Sequence, residues 1–241
     1  MGTLDRTKSK TRLSNSTLLF IIAGIIFVLM YGIAIISFPV SFRQFQTFFD
    51  FFNLNAALFI VILGMCVVMI GGGIDISVGA VCGLVTMACA MLLQSGAGNI
   101  WGAFFLALGI GLAFGLMHGF LIAYLEIQPF IITLAGMFLA QGLLTTLHKE
   151  PLNVTNPAFV ALRRYTIEIP WLGTVNRLGV FIPCEIKPSV IVVVVLIILY
   201  AAMMKWTRFG RNLYAVGGNR QSARMLGINV KQTIFLSYVL C

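Results

Sequence analysis

A lone carboxylate, Asp75, stands two residues from the hydroxyl of Ser77 in the run Gly71-Gly72-Gly73-Ile74-Asp75-Ile76-Ser77-Val78-Gly79, between two hydrophobic stretches. Three consecutive glycines resist helix and expose backbone, and either Asp75 or Ser77 can cap a new helix through a side-chain oxygen. The pattern is a helix break followed by a restart. It admits two readings: a capped turn joining two membrane helices, or an unwound, hinging element beside a transport path. The second follows from the cost of placing an ionisable group inside a membrane segment, where it generally faces a polar cavity.

The remaining reactive groups do not assemble into a catalytic or metal-binding set by spacing. Cys66, Cys82, Cys89, Cys184 and Cys241 fit neither a zinc pattern nor a disulfide framework, and read as small packing groups. His118 and His148 are isolated from carboxylates and thiols along the chain; His118 is expected to pack or to bond between helices. Asp75 has no His, Cys or Ser partner by spacing that would make it part of a membrane-embedded enzyme. A Gly-x-x-x-x-Gly-Lys-Ser/Thr phosphate loop is absent from the sequence, so no cofactor is expected on this chain.

These groups are carried by a chain of 241 residues that is 60% hydrophobic and 10% charged, far from the composition of a soluble domain. Stretches near the ~20 residues needed to span a bilayer occur at Leu18–Phe38, Leu54–Ile70, Ile76–Leu93, Ile100–Leu125, Phe130–Leu147 and Ser189–Trp206. Thr233–Cys241 begins a seventh. Backbone groups have no water partners in lipid, so the expected fold is all-α: a polytopic membrane helix bundle of about six complete spans plus the start of another. The first stretch is too long for a signal-peptide core and is kept as a span.

The net charge of +9 would suit nucleic acid, but its distribution points to a lipid bilayer instead. Arg6, Lys8, Lys10 and Arg12 precede the first span. Lys205, Arg208, Arg211, Arg220, Arg224 and Lys231 follow the sixth, in a connection without acidic residues. The positive-inside rule puts both on the cytoplasmic side, consistent with an even number of spans between them. The expected organisation is therefore a basic cytoplasmic N-terminus at 1–17 and one transmembrane domain at 18–241, with an external loop at 148–188 and a cytoplasmic segment at 207–231. Five prolines oppose one continuous helix in the external loop, where Trp171 is expected as an interfacial anchor.

Gly111, Gly115 and Gly119 repeat every four residues in the fourth span, with Gly109 nearby, which bares a helix face for close packing. Glu126-Ile127-Gln128-Pro129-Phe130 makes a short connection, and Pro129 is placed to start the next helix. After Trp206, Gly217-Gly218-Asn219 supplies a turn and cap, Gln221–Leu226 has helix-forming content, and Gly227 can stop that helix in left-handed geometry. A short helix at the membrane surface is expected there.

Three segments together resemble the permease subunits of bacterial ABC importers for monosaccharides, of the ribose and galactose type: GGGIDISVG at Gly71–Gly79, QPFIITLAGMFLAQG at Gln128–Gly142, and GRNLYAVGGNRQSARMLGINV at Gly210–Val230. The resemblance implies an ATP-driven importer in which this chain pairs with a second permease subunit, identical or not. A binding protein delivers the sugar from outside, and separate ATPase subunits hold ATP and Mg. It implies a bacterial cytoplasmic (inner) membrane location. It also places Gly71, Gly72, Gly73, Asp75 and Ser77 near the translocation path. The segment containing Gly217, Gly218, Asn219, Gln221, Ser222, Ala223, Arg224 and Gly227 becomes the loop that couples to the ATPase, with Ser222, Ala223 and Gly227 at its small-residue and glycine places. Gln221 stands where an acidic residue is often found. Members of that family continue through several more spans, so the chain is expected to be incomplete at its C-terminus. Alternative expectations are an ABC permease for nucleosides or branched-chain amino acids, or a proton-coupled secondary transporter using Asp75.

Overall fold

The computed structural model describes residues 15–38, 44–95, 99–148, 150, 152–175 and 181–241. The basic residues Arg6–Arg12 lie outside that set. Among the described residues the helices are α1 (Asn15–Ser37), α2 (Phe45–Ile70), α3 (Val78–Gln94), α4 (Ile100–Ala123), α5 (Pro129–Leu147), α6 (Pro157–Arg164), α7 (Pro188–Trp206), α8 (Arg208–Gly218), α9 (Arg220–Met225) and α10 (Val230–Leu240). The strands β1 (Ile167–Val175) and β2 (Phe181–Ile186) form a two-stranded sheet. Five helices, the segments Thr17–Ser37, Phe45–Ile70, Ile100–Ala123, Pro129–Leu147 and Pro188–Trp206, are long and apolar enough to cross a membrane. The chain is a multi-pass, predominantly helical membrane protein.

Two expected spans are corrected. The second starts at Phe45, not Leu54, and polar residues in the added turns are bonded: Gln46 Nε2 donates to Asp50 Oδ1 at 2.7 Å. Asn53 bonds to the start of α7, donating to the Glu185 carbonyl at 3.1 Å and accepting from Lys187 N at 2.8 Å. The third is a helix of 17 residues, about 25 Å at 1.5 Å per residue, which is shorter than the ~30 Å hydrocarbon core.

Contacts divide the chain into two units. The smaller comprises 1–51 and 168–184 and contains α1 with most of the two-stranded sheet. Trp171 is 81% exposed there, on a strand. The larger comprises 52–167 and 185–241 and holds the residues of interest.

Within the larger unit, α4 packs against α3, α5 and α10. A Cβ at Gly115 would lie 2.9 Å from the Tyr238 carbonyl oxygen, and one at Gly119 2.9 Å from that of Phe235. These two glycines therefore admit α10 to backbone contact, as the four-residue spacing predicts. Gly109 and Gly111 have nothing within 4 Å of such a Cβ, so the expected glycine face is used only in its second half. Pro129 begins α5, as expected.

One core joins Val68 of α2, Ile122 and Ala123 of α4, Val216 of α8, Ala223 of α9, and Val230, Ile234 and Tyr238 of α10. A second joins Val67, Met204 and Leu213, fixing α2, α7 and α8 together. The segment after Trp206 is thus folded into the bundle.

Candidate functional site

The end of α2 explains the glycine run. Gly72 N donates to the Met69 carbonyl at 3.0 Å and Gly73 N to the Val68 carbonyl at 3.0 Å, while Gly72 has φ +75°. This is a Schellman stop, whose left-handed position favours glycine because a Cβ there meets its own carbonyl. Gly71 is buried, and Tyr238 Oη lies 2.6 Å from where a Gly73 Cβ would stand. The Tyr238 hydroxyl donates to the Ile74 carbonyl at 3.1 Å, which fixes the extended residues that follow.

The capping expectation is half right. Asp75 Oδ1 accepts from Ser77 N at 2.9 Å and from Ser77 Oγ at 2.6 Å, while Ser77 occupies the N-cap position of α3 without capping it through its own side chain. The hydroxyl is engaged by the carboxylate before it can reach the next turn. Asp75 locks the restart from one step further back, near a helix N-terminus that favours negative charge.

His118 is not isolated, as its place in the sequence indicated. Its Nδ1 lies 3.9 Å from Asp75 Oδ2, and both side chains are almost fully buried. The His118 ring fills the notch at Gly136 of α5, where any Cβ would collide with Nε2; that nitrogen has no hydrogen-bond partner among the described residues. Asp75 thus has both a Ser and a His neighbour. Sequence spacing concealed the histidine because 43 positions separate it from Asp75 along the chain.

The 207–231 segment forms two helices, α8 and α9, and leads into α10. Thr207 Oγ1 caps α8 by accepting from Gly210 N at 3.1 Å, and Leu213 and Val216 bury the inner face of this amphipathic helix. Gly217 and Gly218 are its last residues, not the expected turn. Packing decides between the two: a Cβ at Gly217 would collide with the Ile70 carbonyl, whereas one at Gly218 would meet nothing within 4 Å. The last turn of α8 lies on the backbone of the Gly71 break.

Asn219 caps α9, accepting from Ser222 N at 2.9 Å, as expected. Gly227, with φ +77°, stops α9: its N donates to the Arg224 carbonyl at 3.0 Å and Ile228 N to the Ala223 carbonyl at 3.1 Å. Gln221, Ser222 and Arg224 are exposed. Ala223 is not; it is 1% exposed and packs in the chain's own core. The apolar groups presented at the tip are Met225 and Leu226, each 77% exposed.

Glu126, which drew notice only as part of a short connection, is the residue sequence reading missed. It adopts φ +56°, and its carboxylate reaches Lys231 Nζ at 3.0 Å and Arg224 at 3.9 Å. The Lys231 hydrogen bond, then its charge, then that of Arg224 hold this carboxyl below the usual carboxylate range. Its signal was its isolation: one acid in the connection between two spans, at the end where all nearby charges are basic.

Among the described residues no cluster of three or more His, Cys, Asp or Glu side chains is suited to a metal ion. The arrangement is a helix break carrying a buried carboxyl group, with an amphipathic segment seated on it.

No solved structure matches the chain significantly. The inner membrane ABC transporter permease protein YjfF of Escherichia coli K12 is 34% identical over 215 residues, 89% of this chain and 61% of the relative. The fructose import permease protein FruG of Bifidobacterium longum is 31% identical over 185 residues, 77% of this chain and 53% of the relative. The galactose/methyl galactoside import permease protein MglC of E. coli is 29% identical over 240 residues, covering 90% and 66%. The chain therefore spans roughly half to two thirds of these relatives. Residues 47–241 match the family described as branched-chain amino acid transport system, permease component, and with most of its length inside that match the chain belongs to this family of transport permeases.

Proposed function

We propose that this chain is the membrane-spanning permease component of an ATP-driven importer that takes up a monosaccharide delivered by a soluble binding protein. The observation that carries the reading is the seating of α8 on the helix break, Gly217 against Ile70 and Leu213 against Gly71. A partner that moves the α8–α9 segment would move the break with it. Met225 and Leu226 present the apolar surface for such a partner, an ATPase subunit that binds ATP and Mg. In this reading Gly71, Gly72, Gly73, Asp75 and Ser77 gate the path. Gly217, Gly218, Asn219, Gln221, Ser222, Ala223, Arg224 and Gly227 form the coupling segment, in which Ala223 anchors and does not dock. The N-terminus and this segment face the cytoplasm of a bacterial inner membrane, and a second permease subunit completes the path.

Sugar is preferred as substrate because relatives named for fructose, galactose and galactofuranose import are similar across most of the chain. Branched-chain amino acids are the second reading, favoured by the family's description. The test is uptake by the full-length permease reconstituted with its ATPase and binding protein in liposomes, with labelled fructose, galactose, ribose, leucine and a nucleoside offered in turn. ATP-dependent sugar accumulation is expected. ATP-dependent leucine uptake would move the assignment to the second reading; uptake that ignores ATP and collapses with the proton gradient would make it a secondary transporter.

A further inference from the structure

His118 is buried where α4, α5 and the helix break meet, and the gate proposed above makes no use of it. Phe114, one turn earlier on α4, meets its ring edge-on with centroids 5.9 Å apart. Phe114 in turn packs with Leu84 of α3 and Ala140 of α5. The α5 face turned inward here is made of small residues, with Thr133, Gly136 and Ala140 all buried. The ring is therefore confined by Phe114 on one side and by the Gly136 backbone on another.

Its two nitrogens face different things. Nδ1 lies 3.9 Å from Asp75 Oδ2, whereas Nε2 presses on Gly136 and has no hydrogen-bond partner among the described residues. A neutral imidazole carries one N–H, and a buried donor without an acceptor is costly, so the proton belongs on Nδ1, toward the carboxylate. At 3.9 Å that contact is electrostatic, longer than a hydrogen bond. Asp75 Oδ1 is already taken by Ser77 N and Oγ. The carboxylate is thus held by the start of α3 on one oxygen and faces α4 with the other.

We propose that His118 is a positioning residue for transport, a rigid spacer that holds Asp75 and the helix break in register with α5. This inference rests on the reading of the break as the gate. A planar ring with one edge against Gly136 and the other toward Asp75 cannot shorten when α5 approaches α4. Gly136 is then a glycine for the sake of the ring: a Cβ there would displace Nε2 and, through the ring, Nδ1. A residue that only packs needs volume at this place. A spacer needs its nitrogen at the δ position.

The test measures ATP-dependent sugar uptake and melting temperature of the full-length permease, reconstituted in liposomes with its ATPase and binding protein. Asn carries an amide nitrogen where His118 has Nδ1, and Gln carries one where it has Nε2. His118→Asn should keep uptake within about threefold of wild type, and His118→Gln should lose about tenfold. Thermal stability should run in the opposite order, because Asn leaves the larger void. Gly136→Ala should lower uptake about tenfold in the wild type but less than about threefold in the His118→Asn background, since Asn has no atom at the Nε2 position.

Uptake that follows stability, with His118→Gln above His118→Asn, would make His118 a packing residue and overturn the proposal. So would a Gly136→Ala defect of equal size in both backgrounds, because the notch would then not act through the ring. Asp75→Ala, assayed alongside, reports on the gate itself: unchanged uptake would remove the gate and the spacer with it. If the wild type shows no ATP-dependent uptake, the importer reading fails first. That result is visible before any variant is made.

Discussion

The helices ending at Ile70 and Met225 stop by the same hydrogen-bond pattern around a left-handed glycine, Gly72 in one and Gly227 in the other, and their surroundings are opposite. The first stop is enclosed by Leu213, Gly217 and Tyr238 and leads directly to a buried aspartate. The second stands in open space, since a Cβ at Gly227 would meet nothing within 4 Å, and it holds two exposed apolar side chains beside it. One backbone device therefore serves two purposes. Where neighbours touch backbone, the stop fixes an orientation; where nothing touches it, the stop shapes an exposed apolar tip.

The hardest test of this contrast is at the contact between the two regions. Gly217→Val drives a branched side chain into the Ile70 carbonyl, which is backbone and cannot rotate away. Overpacking usually costs about 1–3 kcal/mol where side chains can give, and more is expected here. Uptake should fall to background, with a large loss of thermal stability or of assembly. Gly218→Ala, one residue on and facing open space, should keep uptake within about twofold. Equal behaviour of the two variants would show that α8 is not seated on the break.

Replacing the two stop glycines comes next. Gly72→Ala and Gly227→Ala each force a Cβ into the left-handed region, costing about 1–2 kcal/mol, so their melting temperatures should fall by similar amounts. Their activities should separate. The Gly72 variant is expected to lose uptake at full ATPase occupancy, the Gly227 variant to lose ATPase affinity, read by co-purification. Asn, which tolerates this conformation, should partly restore both. If both variants lost only stability, neither stop would have a role beyond ending a helix.

Asp75 gives a smaller and more specific effect. Asp75→Asn keeps an oxygen for Ser77 N and Oγ and removes the charge facing His118. Uptake is expected to drop by less than about fivefold, whereas Asp75→Ala leaves two buried donors unsatisfied, at about 1–3 kcal/mol each, and should approach the defect of the Gly72 variant. Complete loss of transport in a normally assembled Asn variant would instead assign the charge itself a role.

How far these regions could be read in advance depended on whether the deciding contacts were local. The glycine stops, the Asn219 cap and the Pro129 start each involve residues within five positions, and the sequence displays them directly. The bundle of apolar helices follows equally from composition. By contrast, α8 was hidden because Gly210, Gly217 and Gly218 look like loop residues, yet Gly210 and Gly217 are glycines because Met204 and Ile70 backbone lies where a Cβ would be. His118 beside Asp75, and Ala223 turned inward, likewise depend on which faces of distant helices meet. Helical period alone cannot choose between them when α4 is apolar all round.

The smallest effect is expected at Glu126, where the two regions are tied by charge instead of backbone. Lys231 and Arg224 lower its carboxyl pKa, so the cluster is stabilising at pH above the ordinary carboxylate value near ~4.3 and loses that contribution as pH falls through the lowered folded-state value. From pH 8 to about 5 the wild type should be flat with respect to this group; below about 4 it should converge on Glu126→Gln. The side chain is 60% exposed, so water and salt screen the interaction. At neutral pH and low salt, Glu126→Gln should reduce the coupling of ATP hydrolysis to uptake by about two- to threefold, an effect that should vanish at ~0.5 M salt. Glu126→Lys, which adds a third cation beside Lys231 and Arg224, should enlarge the defect under the same conditions. A Gln variant with unchanged coupling would mean that Gly217 and the shared core alone hold the coupling segment to the bundle. Persistence of the defect in high salt would instead trace it to the short-range Lys231 hydrogen bond, since Glu and Gln share the same backbone preference and only the long-range charge is screened.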